Sequence, residues 1–338
     1  MEPTLKSIAS EAKVSIKTVS RVVNNDPKVS KSTRKIIQEI IETRDYKPNL
    51  IARGLKKRKT NTIGVIVPDI GNPSFAEIVK GCTDVFSKNG YYVFLGSSES
   101  NPQKEIGIIQ DLMSMLIEGI ILIPSITVER DLSFFSKIKC PIVILDREID
   151  GLDKDSVVLS NKKGACSATR LLIENENKKI VILGGLKLAK TSQKRFEGFK
   201  EAMSERNLFS EDLAFWGDFS IDSGYLMMKE AFNKFKKDIG AVFAGNDLIA
   251  LGAINAIKEY GLKIPEDISL IGFDDMFFSS YLNPPLTTVH VPFSKEGAIA
   301  AKLLLKKIVN PENTSINRVI IDTNIVIRES VKNKKNMT

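Results

Sequence analysis

The sequence is poor in the residues that carry most enzymatic and metal chemistry. Its 338 residues include one histidine, one tryptophan and three cysteines. The cysteines, Cys82, Cys140 and Cys166, are widely separated, odd in number and free of any CxxC pattern. Neither a disulfide framework nor a zinc site is expected from such spacing. We therefore expect buried thiols, no bound metal and no cofactor.

The sequence also has no long apolar run, and we expect no secretory leader. No stretch approaches the roughly 18 consecutive apolar residues that a membrane span needs, and MEPTLKS lacks the apolar segment of a secretory signal. Because 43% of the residues are hydrophobic, the chain can still bury the cores of two or three domains. The sequence thus predicts a globular protein of the cytoplasm with no membrane contact.

Net positive charge is confined to the start of the chain. Residues 1–60 hold 15 Lys and Arg against 6 Asp and Glu, whereas the rest of the chain sums to −1. A charge that served only solubility would be spread along the chain, but a phosphate-binding module attached to a neutral body would show this concentration. We therefore predict a nucleic-acid-binding segment at 1–60 and a separate body at 61–338.

The first 24 residues follow the pattern of two short helices joined by a tight turn. Thr4 can cap the first helix and Ser15 the second, and apolar residues recur at helical spacing in both. This pattern predicts a helix-turn-helix that places its second helix in the major groove of DNA. An ordinary helical hairpin is the alternative, and the local charge favours DNA. The outward-facing side chains of the second helix would be Ile16, Lys17, Ser20 and Arg21.

Two further segments complete the basic region. Residues 30–44 predict a third amphipathic helix that closes a small core, and Pro48 ends it. Residues 49–60 then bring five cationic side chains with little apolar surface. We expect this last segment to be disordered alone and ordered on DNA.

From Thr62 onward, short apolar runs alternate with helical stretches. Continuous apolar strands that alternate with helices indicate parallel sheets covered on both faces. Seven such runs are more than one ordinary sheet holds, so we predict two similar α/β subdomains. The runs span residues 63–68, 92–96, 119–124, 141–146, 179–185, 241–245 and 269–274.

Polar side chains cluster directly after these apolar runs. Ligands of parallel sheets bind outside the carboxyl ends of the strands. Two sheets with facing carboxyl edges would therefore form a polar cleft. The side chains are Asp69, Asn72, Ser125, Asp146, Arg147, Thr191, Arg195, Asn246, Asp247, Asp274 and Asp275.

Longer motifs along nearly the whole chain resemble the lactose-repressor (LacI/GalR) family of transcription regulators. They are VSIKTVSRVVNN, YKPNLIARGL, IGVIVPDIGNPSFAEI, ILDRE, GDFSIDSGY, AGNDLIALGA, IGFDD and PPLTTV, in the family's order. The resemblance implies an all-α DNA-binding headpiece at 1–60, with a hinge helix at 49–58, and a homodimer. It also implies an effector-binding α/β core at 61–338, with two parallel-sheet subdomains of periplasmic-binding-protein type. The N-subdomain would span about 61–159 and 290–320, and the C-subdomain about 160–289 and 321–332.

The resemblance further implies DNA contacts by individual side chains. Arg21 would bond the O6 and N7 acceptors of a guanine, and Ile16 would meet a thymine methyl group. Leu55 would wedge into the minor groove at the operator centre, while Thr18 and Ser20 would serve phosphates. The complete set is Thr4, Ser15, Ile16, Lys17, Thr18, Ser20, Arg21, Asn24, Asn49, Ala52, Leu55 and Lys56.

A second set of side chains matches those that the family's sugar-binding members place in the cleft. Carboxylates and guanidinium groups satisfy vicinal hydroxyls, and aromatic rings cover the C–H surface of a sugar. Ser74 and Val291 depart from the family pattern, in which many members have an aromatic residue and a Gln. The ligand can therefore differ from the ribose-like sugar that the family pattern implies. The set is Asn72, Phe75, Ser125, Asp146, Arg147, Thr191, Arg195, Phe219, Asn246 and Asp274.

Two features of the sequence could be mistaken for parts of an enzyme active site. Residues 184–191, GGLKLAKT, nearly spell a phosphate-binding loop, but Ala189 replaces the second glycine, where the backbone must curl round phosphates. The only histidine, His290, has no Ser or Cys nucleophile pattern near it. We expect no enzymatic activity.

The sequence therefore predicts a DNA-binding transcriptional regulator, and the resemblance to the family implies that it is a repressor. Its affinity for double-stranded, pseudo-palindromic operator DNA would be set by a small-molecule effector in the cleft, a sugar such as ribose or a related monosaccharide. Two alternatives stay open. One is a carbon catabolite regulator controlled by a phosphorylated carrier protein, and the other is a cytoplasmic sugar-binding or sugar-modifying protein.

Overall fold

The computed structural model divides the chain into two units, Met1–Thr60 and Asn61–Thr338. We call the first unit the headpiece and the second unit the core. None of the helices in the described part of the chain is long and apolar enough to cross a membrane. The structure describes residues 3–46, 60–125, 132–147, 149–175 and 179–332.

Hydroxyl side chains cap the helices of the headpiece. Thr4 Oγ1 accepts a hydrogen bond from the Ser7 amide at 3.1 Å, and Ser7 Oγ accepts one from the Thr4 amide at 2.9 Å. Ser15 Oγ accepts from the Thr18 amide at 3.1 Å. Each cap satisfies a donor that the first turn of a helix leaves free. The helices are α1 (Leu5–Glu11), α2 (Ile16–Val23) and α3 (Lys31–Thr43).

A small apolar core holds these helices together. Ile8, Val19 and Ile37 are fully buried, one from each helix, and Ala9 and Val22 pack beside them. The predicted three-helix headpiece is confirmed.

Strands and helices alternate through the core, as the sequence predicts. The helices are α4 (Pro73–Lys88), α5 (Pro102–Ser114), α6 (Ser133–Ser136), α7 (Asn161–Asn175), α8 (Lys190–Ser204), α9 (Ile221–Phe235), α10 (Asp247–Glu259) and α11 (Phe293–Val309). The strands are β1 (Thr62–Val67), β2 (Tyr92–Ser97), β3 (Gly119–Leu122), β4 (Ile142–Asp146), β5 (Asp155–Leu159), β6 (Lys179–Gly184), β7 (Ala214–Trp216), β8 (Ile239–Ala244), β9 (Ser269–Asp274), β10 (Thr287–His290), β11 (Arg318–Ile321) and β12 (Asn324–Val326).

The strands form two sheets of matching topology. The first sheet has the order β11-β5-β4-β3-β1-β2, and the second has the order β12-β10-β9-β8-β6-β7. All pairings are parallel except that of β10 with β12. In both sheets the strand order reverses beside the first strand, which is the switch point where such sheets bind ligands. The predicted pair of α/β subdomains is confirmed.

The described chain passes between the two sheets at three crossovers. The crossovers follow β5, β10 and β11. His290 therefore lies in the second sheet and Ile321 in the first, one residue from the predicted subdomain limits. At the neighbouring crossovers, Ser160 N donates to the Ile321 carbonyl oxygen at 2.9 Å, and Thr323 N donates to Ser160 Oγ at 3.0 Å.

Two aspects of the sheets differ from the sequence-based prediction. The pattern of apolar runs does not predict β5, β7, β10, β11 and β12, because these strands are short or carry polar residues. The run at β2 was expected to be covered on both faces, but Tyr92, Phe94 and Leu95 are exposed. That expectation is wrong because β2 lies at the edge of its sheet, which offers it only one neighbouring strand.

Candidate functional site

The second headpiece helix, α2, has one buried face and one open face. Val19 and Val22 are buried against the other helices. On the opposite side Ser15, Ile16 and Lys17 are exposed, and Ile16 leaves 49% of its surface free. A face of this composition can meet both the apolar and the charged parts of a DNA groove.

Two predicted DNA contacts on α2 already have partners within the headpiece. Arg21 Nε lies 3.6 Å from Asp26 Oδ2, so the guanidinium would have to exchange a carboxylate for a base. Asn24 Nδ2 donates to the Ser20 carbonyl oxygen at 2.6 Å. The Asn24 side chain therefore folds back on the end of α2.

The remaining predicted DNA contacts of the headpiece fall into two groups. Those on α1 and α2 lie on described helices and stay predictions about DNA. The predicted hinge helix at 49–58 falls outside the described residues. The same holds for its predicted contacts, Asn49, Ala52, Leu55 and Lys56.

In the core, residues at the carboxyl ends of both sheets meet at one cleft. Asn72 Oδ1 accepts hydrogen bonds from the Ser74 amide at 3.1 Å and the Ser74 hydroxyl at 2.8 Å, which begins α4. Asn246 Oδ1 accepts from the Ile249 amide at 2.8 Å, which begins α10. Each asparagine is thus fixed at the cleft by its own helix.

In each sheet, the fourth strand along the chain ends in an aspartate with a left-handed backbone conformation. Asp146 has a φ of 61° and Asp274 a φ of 109°, and at Asp146 the Arg147 amide donates to the Leu145 carbonyl oxygen at 2.6 Å. Such conformations cost about 1–3 kcal/mol for residues other than glycine and cluster at functional sites. Both carboxylates line the cleft.

Arg195 of α8 ties the second sheet to the cleft. Its Nε donates to Asn161 Oδ1 at 2.8 Å, and its Nη1 donates to the Gly245 carbonyl oxygen at 2.5 Å. Its Nη2 lies 3.2 Å from Asp274 Oδ1. The guanidinium carbon also lies 3.8 Å from the centre of the Phe273 ring. A charged group with so many partners is held in one orientation.

Burial raises the pKa values of the carboxyl groups in the cleft. Burial raises the pKa of Asp274 to about 8, although the charge of Arg195 opposes this shift. Burial also raises the pKa of Asp146, while Arg147 and Arg195 lower it. Perturbed carboxylates in a cleft indicate a candidate binding site.

The cleft is nearly closed in this conformation. Its central cavity has a volume of about 30 Å³, which is room for roughly two water molecules. It adjoins a groove of about 850 Å³, with which it shares Asn72, Phe75, Arg147 and Phe219. A small-molecule site measures about 300–1,000 Å³, so a sugar can occupy the centre only if the subdomains separate.

Nine of the ten predicted effector residues line the central cavity. The tenth, Ser125, is buried elsewhere, where its amide donates to Glu105 Oε2 at 2.6 Å. The structure adds Ser74 and Phe293 to the lining. Phe293 opens α11 directly after the second crossover, a position that no strand pattern in the sequence predicted. The nine are Asn72, Phe75, Asp146, Arg147, Thr191, Arg195, Phe219, Asn246 and Asp274.

The segment that resembles a phosphate-binding loop takes part in the cleft instead. Lys190 Nζ lies 2.6 Å from Asp150 Oδ2, so this pair joins the two subdomains. A β-carbon at Gly185 would lie 2.3 Å from the Phe219 ring. Glycine at this position therefore allows Phe219 to approach the loop and line the cavity.

A buried aspartate beside the cleft anchors the loop that follows β9. Asp247 accepts hydrogen bonds from the Met276 amide at 2.8 Å, the Ser279 hydroxyl at 2.5 Å and the Thr288 hydroxyl at 2.6 Å. Burial raises its pKa to about 6, although these hydrogen bonds lower it. Because Asp247 follows the cavity residue Asn246, the start of α10 holds both a residue of the cleft and the loop after β9.

Apolar side chains are exposed on two surfaces of the core. In the loop after β9, Phe277 is 75% exposed and Tyr281 is 85% exposed. On the first subdomain, Phe94 and Leu95 of β2 lie exposed, and Met115 after α5 is exposed too. Exposed apolar patches of this kind mark protein interaction sites.

A basic headpiece with an open helix face and a two-sheet core around a polar cleft define a DNA-binding regulator that responds to a ligand. Residues 4–49 match the family described as "Bacterial regulatory proteins, lacI family", and residues 169–331 match "Periplasmic binding protein-like domain". The chain belongs to the lacI family and is a DNA-binding transcriptional regulator.

Similar proteins cover from 80% to 98% of the chain. Catabolite control protein A of Priestia megaterium is 35% identical over 98% of this chain and 100% of its own length. A lac repressor dimer bound to operator and the anti-inducer ONPF has a TM-score of 0.89, 25% identity, and coverage of 98% of this chain and 100% of its own. A LacI family regulator from Enterococcus faecium with bound ribose has a TM-score of 0.71 and 27% identity, covering 80% of this chain and 98% of its own.

Proposed function

We propose that this regulator is a repressor whose operator affinity is set by a monosaccharide, ribose or a related sugar, bound between the core subdomains. The observation that carries the proposal is the convergence of nine predicted side chains on one cavity. Their carboxylates, amides and guanidinium groups suit the hydroxyls of a sugar. The rings of Phe75 and Phe219 suit its C–H surface. The similar regulator with bound ribose supports this choice of ligand.

The proposed control works through separation of the subdomains. The central cavity of about 30 Å³ is too small for a sugar, so binding favours a more open arrangement. Lys190 and Asp150, which join the subdomains at 2.6 Å, would then part or change partner. A ligand shifts such an equilibrium only through its different affinity for the two arrangements. Coupling of this kind is typically about 1–3 kcal/mol.

We propose that two exposed surfaces hold the regulator as a homodimer on a pseudo-palindromic operator. One surface includes Phe94 and Leu95 of β2, and the other includes Phe277 and Tyr281. The first belongs to the N-subdomain and the second to the C-subdomain. A change in the angle between subdomains would therefore alter the spacing of the paired headpieces, because one interface would move relative to the other.

We further propose that the chain acts in the cytoplasm and without enzymatic activity. The similar proteins found are regulators. The single histidine supports this view, since His290 Nδ1 lies 2.9 Å from Asp275 Oδ2 beside a crossover. That carboxylate also bonds Arg328 at 2.6 Å, so the pair serves the structure of the crossover.

Substitution of Asp274 tests the proposal. In Asp274→Ala the cleft loses a carboxylate, while α2 is unchanged, so we expect loss of the effector response and intact operator binding. Thermal unfolding of the full chain would be followed with pentoses, hexoses, sugar phosphates and purines. A ligand at 100 times its dissociation constant adds about 2.7 kcal/mol of stability.

The exposed Asp84 provides a matched control. Asp84→Ala should respond to every ligand as the parent chain does. Loss of operator binding together with the effector response in Asp274→Ala would contradict separate sites. Silence of the parent chain across the panel would contradict a small-molecule effector of these classes and would direct the same assay to a phosphorylated carrier protein.

A further inference from the structure

The carboxyl group of Glu296 is buried beside the cleft, where, among the described residues, only the Asp146 amide acts on it as a donor. Glu296 lies in the first turn of α11 and is 0% exposed. Neither of its carboxylate oxygens accepts a hydrogen bond that meets normal geometry. A buried carboxylate in this condition is costly, so its presence requires an explanation.

The charged and titratable groups that act on Glu296 lie on four elements, α4, α8, β4 and β9. Asp146 at the end of β4 and Asp274 at the end of β9 bring negative charge, and Arg195 of α8 brings positive charge. Cys82 of α4 is neutral, since burial and the nearby Glu296 both raise its pKa. The start of α11 and the Asp146 amide favour the negative charge only in part.

The buried charges of the cleft do not balance. Asp146, Asp274 and Glu296 supply three carboxylates, whereas Arg147 and Arg195 supply two guanidinium groups, and all five residues are buried or nearly so. Arg195 is already committed to three acceptors. With all three carboxyl groups ionised, one more positive charge is needed for neutrality. In the ligand-free protein protons supply it, since burial raises the pKa values of Asp274 and Glu296, and a cationic ligand would take the place of a proton.

We propose that Glu296 makes the cleft selective for an effector that carries an ammonium group, an amino sugar rather than a neutral one. Asp146 and Asp274 line the cavity and would receive the ammonium group. Glu296 would act through Asp146, as a specificity-determining residue that adds negative charge behind it. This inference rests on the proposed function of the cleft and narrows its ligand class.

The test compares sugars that differ only by an ammonium group in place of a hydroxyl. The pairs are glucosamine and glucose, galactosamine and galactose, and mannosamine and mannose, each added to the full chain at about pH 6.5, where amines are protonated. Thermal unfolding and calorimetry report binding. We expect at least one amino sugar to bind about tenfold more tightly than its hydroxyl partner, and Glu296→Gln to remove this preference without weakening the neutral sugar.

The matched control is Glu312→Gln, which neutralises an exposed carboxylate and should keep the preference. A parent chain that binds the neutral sugars as well as the amino sugars would overturn the proposal, and so would a Glu296→Gln variant that keeps the preference. Silence with all three amino sugars would overturn it too. The proposed function would fail only if ribose and the other ligands of the wider panel also failed to bind, so the two failures can be distinguished.

A second measurement follows the charge of Glu296 without any ligand. Burial raises the pKa of this carboxyl well above its usual range. At a pH below the pKa that Glu296 has in the unfolded chain, its carboxyl group is neutral and does not lower the free energy of unfolding. As the pH rises from there towards the pKa of Glu296 in the folded state, the folded state loses stability. Glu296→Gln should therefore gain in unfolding midpoint over the parent chain between about pH 5 and pH 8. A constant difference across this range would contradict the buried, unpaired charge.

Discussion

At the residue scale, single side chains of this regulator serve either the fold or the proposed contacts, and Arg21 serves both. Its guanidinium lies 3.6 Å from Asp26 and is 40% exposed. An exposed ion pair of this kind contributes little to stability, about 0–1 kcal/mol. Arg21 can therefore leave Asp26 for a base without unfolding the headpiece.

Arg21→Ala should weaken operator binding mainly at one base pair of each half-site. A bidentate contact to guanine accounts for about 1–3 kcal/mol of discrimination, so the variant should lose the preference for one base there. Binding to operators substituted at each position would be measured by fluorescence anisotropy. Equal weakening at every position would mean that Arg21 contacts a phosphate, and Lys28→Ala, outside α2, is the control.

At the element scale, apolar runs predict the inner strands well and the others poorly. The run at β4 is buried almost throughout, so its composition alone identifies it. By contrast, β5 begins with Asp155, whose Oδ1 accepts from the Asn317 amide at 2.6 Å, and β10 contains Thr288, which donates to Asp247. The sheet tolerates these polar residues because distant parts of the chain satisfy them, and no local pattern reports such partners.

Asp247→Asn tests the support of the loop after β9. The amide can accept hydrogen bonds through one oxygen only, whereas Asp247 uses both oxygens for Met276, Ser279 and Thr288. Each unsatisfied buried group costs about 1–3 kcal/mol. Chemical denaturation should show a loss of this size at neutral pH.

The loss caused by Asp247→Asn should grow as the pH falls from about 6 towards 4, because the raised pKa of Asp247 lets the folded parent take up a proton more readily than its unfolded chain and so gain stability, whereas the asparagine does not titrate. The exposed Asp222 of α9 supplies the control, and Asp222→Asn should change the free energy of unfolding by less than about 0.5 kcal/mol. Unchanged stability of Asp247→Asn would mean that the loop is held by other contacts.

At the scale of the whole molecule, the cleft was predictable because its residues follow strand ends in a sheet type that binds ligands there. Seven side chains reach one cavity on this rule, and Phe75 and Phe219 were predicted only by the resemblance to the family. The rule fails for Ser125, which also follows a strand but bonds Glu105. It also misses Glu296, since a charged residue in an amphipathic helix is normally solvated and only the packing of α11 shows that this one is buried.

Assembly gives a prediction at the same scale. Phe94→Glu places a charge on the exposed apolar surface of β2, where the proposed partner subunit would have to desolvate it. We expect the dimer to dissociate at least tenfold more readily and operator affinity to fall with it. Sedimentation velocity measures the first effect and anisotropy the second.

Leu208 is also exposed but lies outside both proposed interfaces, so Leu208→Glu should leave the dimer unchanged. A Phe94→Glu chain that sediments as the parent chain does would exclude β2 from the subunit interface. The interface would then have to lie on other surfaces, among them the loop with Phe277 and Tyr281.

The matching topology of the two sheets has a consequence for how a ligand is oriented. Each wall of the cleft presents an aspartate at the same point of the fold, Asp146 on one side and Asp274 on the other. The next residues break this equivalence, because Arg147 follows the first aspartate and Asp275 the second. A ligand thus meets two equivalent anions whose cations come from different directions, Arg147 from the end of the same strand and Arg195 from α8, and this difference would decide which end of the ligand faces which subdomain.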